Sequence, residues 1–231
     1  MGAPGYPQRS LSEQAYEQLR QRIVTLVLAP NAVVDEAQLQ QELGLGRTPI
    51  REALKRLELE RLITIIPRRG IFVTPINLTD LQRLYEVRVN LECLATELAA
   101  QRGTAVHWQE MACVLDQASG LITLSPEQLI AIDEGCHRII YKATDNQFLE
   151  QTLSALFPLS LRMWHFALSK LGDKKDSIIE YKHIVEHQAI MQALQKSDAP
   201  EASALMRRHI VAYQQYIENI ILGKSAQLQT A

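Results

Sequence analysis

Apolar residues in the first sixty positions recur at spacings of three and four, the period of a helix with one buried face. Ser10 and Glu13 form a capping-box pattern that opens a helix to about Leu28. The Ala-Pro-Asn break at 29–31 ends this helix, and "VDEAQLQQEL" (34–43) begins a shorter one. The pattern therefore predicts two helices ahead of the next glycine.

A third helix and a hairpin follow. "GLG" (44–46) indicates a tight turn, and "RTPIREALKRLELERL" begins a helix with Thr48 as its predicted N-cap and Pro49 at its first position. Next, "ITIIP" and "IFVTP" flank Arg-Arg-Gly at 68–70, a predicted β-hairpin in which Gly70 is free to take a positive φ. Helix, helix, turn, helix and hairpin is the order of a winged helix-turn-helix.

From residue 77 onward the chain shows helical periodicity only, which predicts an all-α bundle of about six helices. The domain boundary falls near Thr74–Thr79, so we expect a winged helix-turn-helix over 1–76 and an all-α domain over 77–231. The fold class is mainly α. The six helices are expected at 77–103, 105–119, 126–144, 147–171, 175–196 and 200–222.

Composition fits a folded protein with a sizeable core: 47% of the 231 residues are hydrophobic and 22% are charged. No apolar run approaches the ~20 residues needed to cross a bilayer, and the start "MGAPGYPQRS" lacks the apolar core of a signal peptide. Three scattered cysteines without a C-x-x-C pair fit a reducing compartment. We therefore expect a cytoplasmic protein with no membrane partner.

Charge is distributed unevenly along the chain. Residues 1–76 hold ten Lys and Arg against eight Asp and Glu, whereas residues 77–231 hold fourteen against eighteen. In the third helix Arg47, Arg51 and Lys55 recur at i, i+4 and i+8, so they share its exposed side near the N-terminus, where phosphates bind. An arginine there can reach a guanine edge with two hydrogen bonds.

Two interpretations of these cations stay open when the helix is considered alone. A solvated amphipathic helix can carry three cations on one face without any partner. The hairpin tip, with Arg69 beside Gly70, adds a basic wing suited to a phosphate or the minor groove. Together with the preceding short helix and tight turn, it favours double-stranded DNA as the partner.

Residues 11–76 resemble the N-terminal domain of the GntR superfamily of bacterial transcription regulators. The resemblance rests on "ELGLGRTPIREALKRLE" (42–58) and "RRGIFV" (68–73). It implies that Arg47, Thr48 and Arg51 contact operator bases and phosphates, with Gly70 at the wing tip.

Three positions depart from that family pattern. Asn31 stands where a Gly usually follows Pro, Gly46 replaces a customary Ser or Thr, and Arg61 replaces a Gly after the recognition helix. Gly46 removes a hydroxyl able to bind phosphate. Arg61 is expected to strain a turn that favours the left-handed conformation, at a cost of ~1 kcal/mol.

Polar side chains stand in the middle of three apolar stripes in the second half: Asp133 and His137 at i, i+4, then His187 and His209 on later helices. Burying such groups unpaired costs several kcal/mol, so they should satisfy one another or share an ion. Single histidines of this kind are ordinarily satisfied core residues. Four together favour a divalent metal, zinc before nickel or manganese.

Residues 77–222 also resemble the FCD ligand-binding domain of FadR-type GntR regulators, through D-x-x-x-H (133–137), "EH" (186–187) and His209. The resemblance implies that Asp133, His137, His187 and His209 are metal ligands. "HIVEH" (183–187) also matches an H-x-x-E-H hydrolase pattern, in which His183 and His187 bind zinc and Glu186 acts as base. Too little chain follows for that site's third ligand, so we do not expect an enzyme.

Arg88 lies within an apolar stripe and is expected to point inward. It either pairs with Glu92 at i+4 or forms a fork for the carboxylate of an effector, and the resemblance favours the second role. Asn146 is predicted to cap a helix and to line the same pocket. The expectation is a dimeric repressor that binds a palindromic operator and responds to a small organic acid at a metal site.

Overall fold

The computed structural model describes residues 9–119, 124–171 and 177–224. The chain divides into two compact units, Met1–Ile76 and Asn77–Ala231. The start of the chain lies outside the described residues, as do positions 175 and 176 of the predicted fifth bundle helix.

Three helices and a small antiparallel sheet make up the described part of the first unit, residues 9–76. In the sheet the strand Gly70–Val73 lies between the strands Val33–Val34 and Ile63–Ile66, with Val33 opposite Phe72 and Ile65 opposite Ile71. Buried side chains from the first and third helices form its core. The elements are α1 (Leu11–Val24), β1 (Val33–Val34), α2 (Glu36–Leu43), α3 (Arg47–Leu59), β2 (Ile63–Ile66) and β3 (Gly70–Val73).

The structure corrects several details at the ends of these elements. Helix α1 ends at Val24, four residues early, because Leu26 adopts a left-handed φ of 63°. Helix α3 begins at Arg47 with Gly46 as its N-cap, so Thr48 is not the cap and Pro49 lies third in the helix. Pro49 is tolerated there because the first-turn N–H groups have no partner within the helix.

The predicted hairpin is present as β2 and β3, and the two-residue strand β1 extends it to three strands. Ile66 pairs with Gly70, and the N–H of Arg69 donates to the carbonyl of Ile66 over 3.0 Å. Gly70 has a φ of 120°, a region where only glycine is unstrained, so the tight tip depends on it.

The second unit is a helical bundle arranged around one long helix, Leu78–Arg102, which packs against four of the later helices and most extensively against the helix Ala199–Ile221. Asn77, Ser125 and Asp198 each accept a backbone N–H at a helix start. None of the described helices is both long and apolar enough to cross a bilayer. The helices are α4 (Leu78–Arg102), α5 (Ala105–Leu115), α6 (Pro126–Ala143), α7 (Gln147–Leu171), α8 (Ser177–Gln195) and α9 (Ala199–Ile221).

Candidate metal centre and nucleic-acid interface

Four predicted ligands meet in the bundle interior: Asp133 and His137 from α6, His187 from α8 and His209 from α9. One ligand atom from each lies within 4.8 Å of the ligand atoms of all the others. Asp133 Oδ1 is 3.8 Å from the Nε2 of His137 and 3.6 Å from those of His187 and His209. One carboxylate oxygen thus lies at the meeting point of three imidazoles.

Several atoms at this meeting point are buried without a hydrogen-bond partner among the described residues: Asp133 Oδ1, His137 Nε2 and His187 Nε2. Buried polar atoms in this condition cost free energy, and their cost rises when lone pairs face one another. A cation between them would satisfy all three, so the residues present fit a divalent ion.

In each of the three histidines, Nδ1 contacts a carboxylate or carbonyl oxygen, which can accept a hydrogen bond but has no proton to donate. Each Nδ1 therefore carries the proton, and each Nε2 presents a lone pair to the cluster when the ring is neutral. The three pairs are His137 with Glu92 Oε2 (2.9 Å), His187 with the backbone carbonyl of His183 (3.0 Å) and His209 with Glu186 Oε2 (2.8 Å).

Burial and neighbouring charge set the protonation of the cluster. Burial alone would raise the pKa of Asp133, but the histidines around it, His137 foremost, hold that pKa well below its usual range. Burial lowers the pKa of His187 to about 3, so this ring is neutral. Burial would also lower the pKa of His209, but Asp133 and Glu186 outweigh it and raise that pKa to about 9.

Arg88 is buried beside this cluster and pairs with Glu92, which is one of the two roles that the sequence left open. Its Nε and Nη2 lie 3.0 and 2.9 Å from Glu92 Oε1, and its Nη1 donates to Ser160 Oγ over 2.8 Å. The hydroxyl of Tyr141 donates to the same Glu92 oxygen over 2.5 Å. Burial would raise the pKa of Glu92, but His137 and Arg88 lower it to about 2.

A small cavity separates Arg88 from Asp133. Its open volume is about 10 Å³, room for one water molecule. Its walls carry the side chains of Tyr85, Ser160, Trp164 and Tyr213 as well. A larger ligand therefore requires these walls to move apart.

Asn146 caps α7 as predicted, accepting the N–H groups of Phe148 and Leu149 over 3.2 and 3.3 Å. It is not among the described residues that line the cavity beside Arg88. Its amide oxygen is already used by the helix end, so the structure places Asn146 at a cap and not in the predicted pocket.

The two histidines of "HIVEH" do not enter the cluster together. His183 is buried, and its Nδ1 hydrogen-bonds the hydroxyl of Tyr213 and lies 3.8 Å from Asp133 Oδ1, outside the four-residue group. Glu186, the base of the hydrolase alternative, instead supports His209. Sequence reasoning missed the supporting roles of Glu92 and Glu186, although the i+4 spacing from Arg88 pointed to Glu92 as a partner.

On the first unit, the predicted DNA-contacting side chains of α3 are exposed: Arg47, Thr48, Arg51 and Lys55. Arg51 Nε lies 2.9 Å from Glu36 Oε2, so α2 holds this arginine in one orientation. Its side chain remains half exposed, at 51%. The N-terminal end of α3 therefore presents cations and open N–H groups together.

The hairpin tip adds Arg69 and Gly70, both exposed. Arg56 is different, because its guanidinium lies 3.5 Å from the centre of the Tyr16 ring and pairs with Glu13. That contact ties α3 to α1, and Arg56 contributes to the fold of this unit.

An exposed cationic recognition helix and a basic hairpin define a winged helix-turn-helix DNA-binding protein, here followed by an α-helical domain. Residues 11–73 match the bacterial regulatory proteins of the gntR family, and residues 83–212 match the FCD domain. The chain belongs to the GntR family of DNA-binding transcriptional regulators, in the group that carries an FCD domain. The resemblance to the GntR family, the FCD domain and the mainly α fold are confirmed.

Known proteins similar to this chain are regulators. The Nta operon transcriptional regulator of Aminobacter aminovorans is 30% identical over 206 residues, covering 87% of this chain and 91% of that protein. The HTH-type transcriptional repressor GlaR of Escherichia coli (strain K12) is 28% identical over 220 residues, covering 92% and 98%. Family and relatives are transcriptional regulators and not enzymes, in agreement with the prediction.

A solved structure shares the fold. E. coli McbR/YncC superposes with a TM-score of 0.77 at 23% identity, covering 94% of this chain and 99% of that one. At this identity the likeness concerns the fold alone.

Proposed function

We propose that this regulator is a homodimeric repressor that senses a small organic acid at a divalent metal ion in the FCD domain. The observation that carries the proposal is the set of three imidazoles, each held by an acceptor at Nδ1, with Nε2 atoms that converge on Asp133 Oδ1. Supported histidines of this kind are the usual form of a protein metal site.

The donor set favours zinc. Three neutral imidazole nitrogens and one carboxylate oxygen suit Zn²⁺, with Ni²⁺ and Mn²⁺ as alternatives of the same charge. When bound, such an ion supplies a Lewis acid that anchors a carboxylate oxygen. Asp133 and the three histidines then act as its ligands, and Glu92 and Glu186 keep two of the rings in the required tautomer.

The proposed effector is a small carboxylate. A divalent ion and Arg88 bring three positive charges into the interior, and Asp133 and Glu92 offset two of them, while the half-buried Glu186 is offset by its neighbour Lys182. An anion in the cavity between Arg88 and Asp133 would complete the balance, with Arg88 turning part of its fork from Ser160 towards it. Asn146 has no part in this arrangement because its amide oxygen caps α7.

The proposed DNA contacts are those predicted on the first unit. Arg47, Thr48 and Lys55 bind phosphates or base edges from the recognition helix, Arg51 reads a base, and Arg69 with Gly70 enters from the wing. Two recognition helices on a palindromic site require a dimer. Repression is proposed because GlaR is named a transcriptional repressor.

Paired titrations test this function. Chelator-stripped wild type and His209→Ala are titrated with Zn²⁺ by calorimetry, with His165→Ala as the control, a half-buried histidine outside the cluster. Affinity for a duplex selected by the wild-type protein is then measured with a series of two- to six-carbon carboxylates. We expect an acid that changes this affinity in wild type and His165→Ala but not in His209→Ala.

One outcome would contradict the proposal. An acid that changes operator affinity equally in wild type and His209→Ala would remove the metal from sensing. If chelation also lowered the stability of the protein in that case, the ion would have a structural role only.

A further inference from the structure

The carboxylate of Glu92 joins the two parts of the sensory site. Oε1 accepts from Arg88 and from the hydroxyl of Tyr141, and Oε2 accepts the Nδ1–H of His137. Glu92 and His137 are both fully buried, so no solvent competes for these bonds. A single side chain therefore touches the proposed effector arginine at one oxygen and a proposed metal ligand at the other.

We infer that Glu92 couples Arg88 to His137, so that an anion bound by Arg88 changes the affinity of the metal centre for its cation. The inference rests on the proposed function, since it needs an ion at the cluster. Glu92 acts as a positioning residue: it touches neither the ion nor the effector. The Zn²⁺ affinity of the cluster would then depend on two residues, Arg88 and Glu92, that are outside its ligand set.

The direction of the coupling follows from how hydrogen bonds polarise one another in a dry interior. Donors on Oε1 draw charge away from Oε2. When the hydrogen bond from Arg88 or Tyr141 to Oε1 is broken, Glu92 becomes a stronger acceptor for the Nδ1–H of His137. His137 then donates its Nε2 lone pair more strongly, and the cluster binds a cation more tightly.

The effect is reciprocal. A His137 that gives its lone pair to a cation becomes a stronger Nδ1–H donor and draws charge from Glu92. Glu92 then holds Arg88 less firmly, which leaves the guanidinium freer to bind an anion in the cavity. The coupling therefore favours joint occupation of the two sites.

Direct electrostatic repulsion between Arg88 and the ion would also weaken Zn²⁺ binding. The experiment must therefore separate this repulsion from the coupling through Glu92. The probe is Zn²⁺ alone, titrated against a chromophoric chelator at one pH into wild type, Arg88→Met, Glu92→Gln and the double variant. We expect Arg88→Met to tighten Zn²⁺ binding by roughly 3- to 10-fold when Glu92 is present and to have no effect in Glu92→Gln. Glu92→Gln alone should weaken binding by about 10- to 100-fold.

Tyr141→Phe tests the same route without a change in charge. It removes a neutral donor from Glu92 Oε1, so direct repulsion predicts no effect, whereas the Glu92 route predicts roughly 2- to 3-fold tighter Zn²⁺ binding. Tyr16→Phe removes a hydroxyl bonded to Glu60 in the other unit and is the matched control, with unchanged affinity expected. Circular dichroism of each metal-free variant checks that the bundle is folded.

The outcomes separate the two proposals. Equal effects of Arg88→Met in both Glu92 backgrounds, together with no effect of Tyr141→Phe, would overturn the coupling and leave the metal site standing. A wild-type protein that takes up no Zn²⁺ would overturn the metal site and the coupling with it.

Discussion

His209 donates its Nδ1–H to Glu186 Oε2 over 2.8 Å and places its Nε2 3.6 Å from Asp133 Oδ1. Burial alone would lower the pKa of this ring, but the two carboxylates raise it to about 9. In the metal-free protein at neutral pH the ring is therefore charged, and a proton occupies the nitrogen that an ion needs. Any cation entering the cluster must displace that proton.

Zn²⁺ affinity is accordingly expected to rise with pH. The raised pKa means that the His209 proton stabilises the metal-free fold fully below about 6.5, and this contribution is lost as pH rises through about 9. Between these limits the apparent affinity should increase by up to about tenfold per pH unit. Calorimetry in buffers of different ionisation enthalpy should show nearly one proton released per ion at pH 7.5. A proton count near zero there would contradict the assignment.

Zn²⁺ is also expected to stabilise the bundle. An ion that binds only the folded state adds about 2.7 kcal/mol to the free energy of unfolding at a hundredfold excess over its Kd. Thermal unfolding of chelator-stripped protein, with Zn²⁺ or Mg²⁺ added, measures this gain. Asp133→Asn should lose most of the Zn²⁺ effect, because the amide keeps the size of the side chain but removes its charge. An equal shift with Mg²⁺ would indicate nonspecific binding.

The sequence was sufficient to predict that Asp133 and His209 lie in one cluster, because helical periodicity identifies polar residues in the middle of apolar stripes. It did not reveal Glu186 as a partner of His209, since contacts between helices depend on their rotation and depth of packing. The expected cap at Thr48 was also wrong. The helix begins two residues earlier, after Gly46, a residue that offers no side-chain signal.

Arg51 is expected to read a base. Arg51→Ala should cost ~1–3 kcal/mol on the specific operator and relax base choice at one position. Lys55→Ala, one turn further along α3, is the comparison variant and should weaken binding to specific and random duplexes alike. Fluorescence anisotropy with both duplexes measures the difference. Equal loss by Arg51→Ala on the two duplexes would show that Arg51 binds only the backbone.

Gly46→Ser is expected to stabilise the DNA-binding unit. Gly46 caps α3 with φ −70° and no side-chain hydrogen bond, and an added Cβ would meet only Pro49 Cδ, at 3.9 Å. A serine hydroxyl there can accept a first-turn N–H and restrict the unfolded chain, for a gain of ~0.5 kcal/mol. Gly44→Ser, at φ 64°, should instead lose about 1 kcal/mol. Urea unfolding of both full-length variants checks the opposite signs.

Arg61 occupies a left-handed conformation, with φ 59°. Its exposed side chain does not explain this backbone, because the turn is held by its main-chain N–H, which donates to Glu58, and by its carbonyl, which accepts from Thr74 Oγ1. Arg61→Gly should therefore relieve up to about 1 kcal/mol of strain, even after the added flexibility of the unfolded chain is counted.

Asn31 supplies the matched comparison. It also lies in the left-handed region, at φ 67°, but asparagine tolerates that region because its short side chain can hydrogen-bond locally. Asn31→Gly should consequently be neutral or slightly destabilising, whereas Arg61→Gly raises the urea midpoint. An equal rise of the urea midpoint in both variants would mean that the glycine substitutions do not act by relieving backbone strain at Arg61. A loss in Arg61→Gly would show that its side chain stabilises the turn.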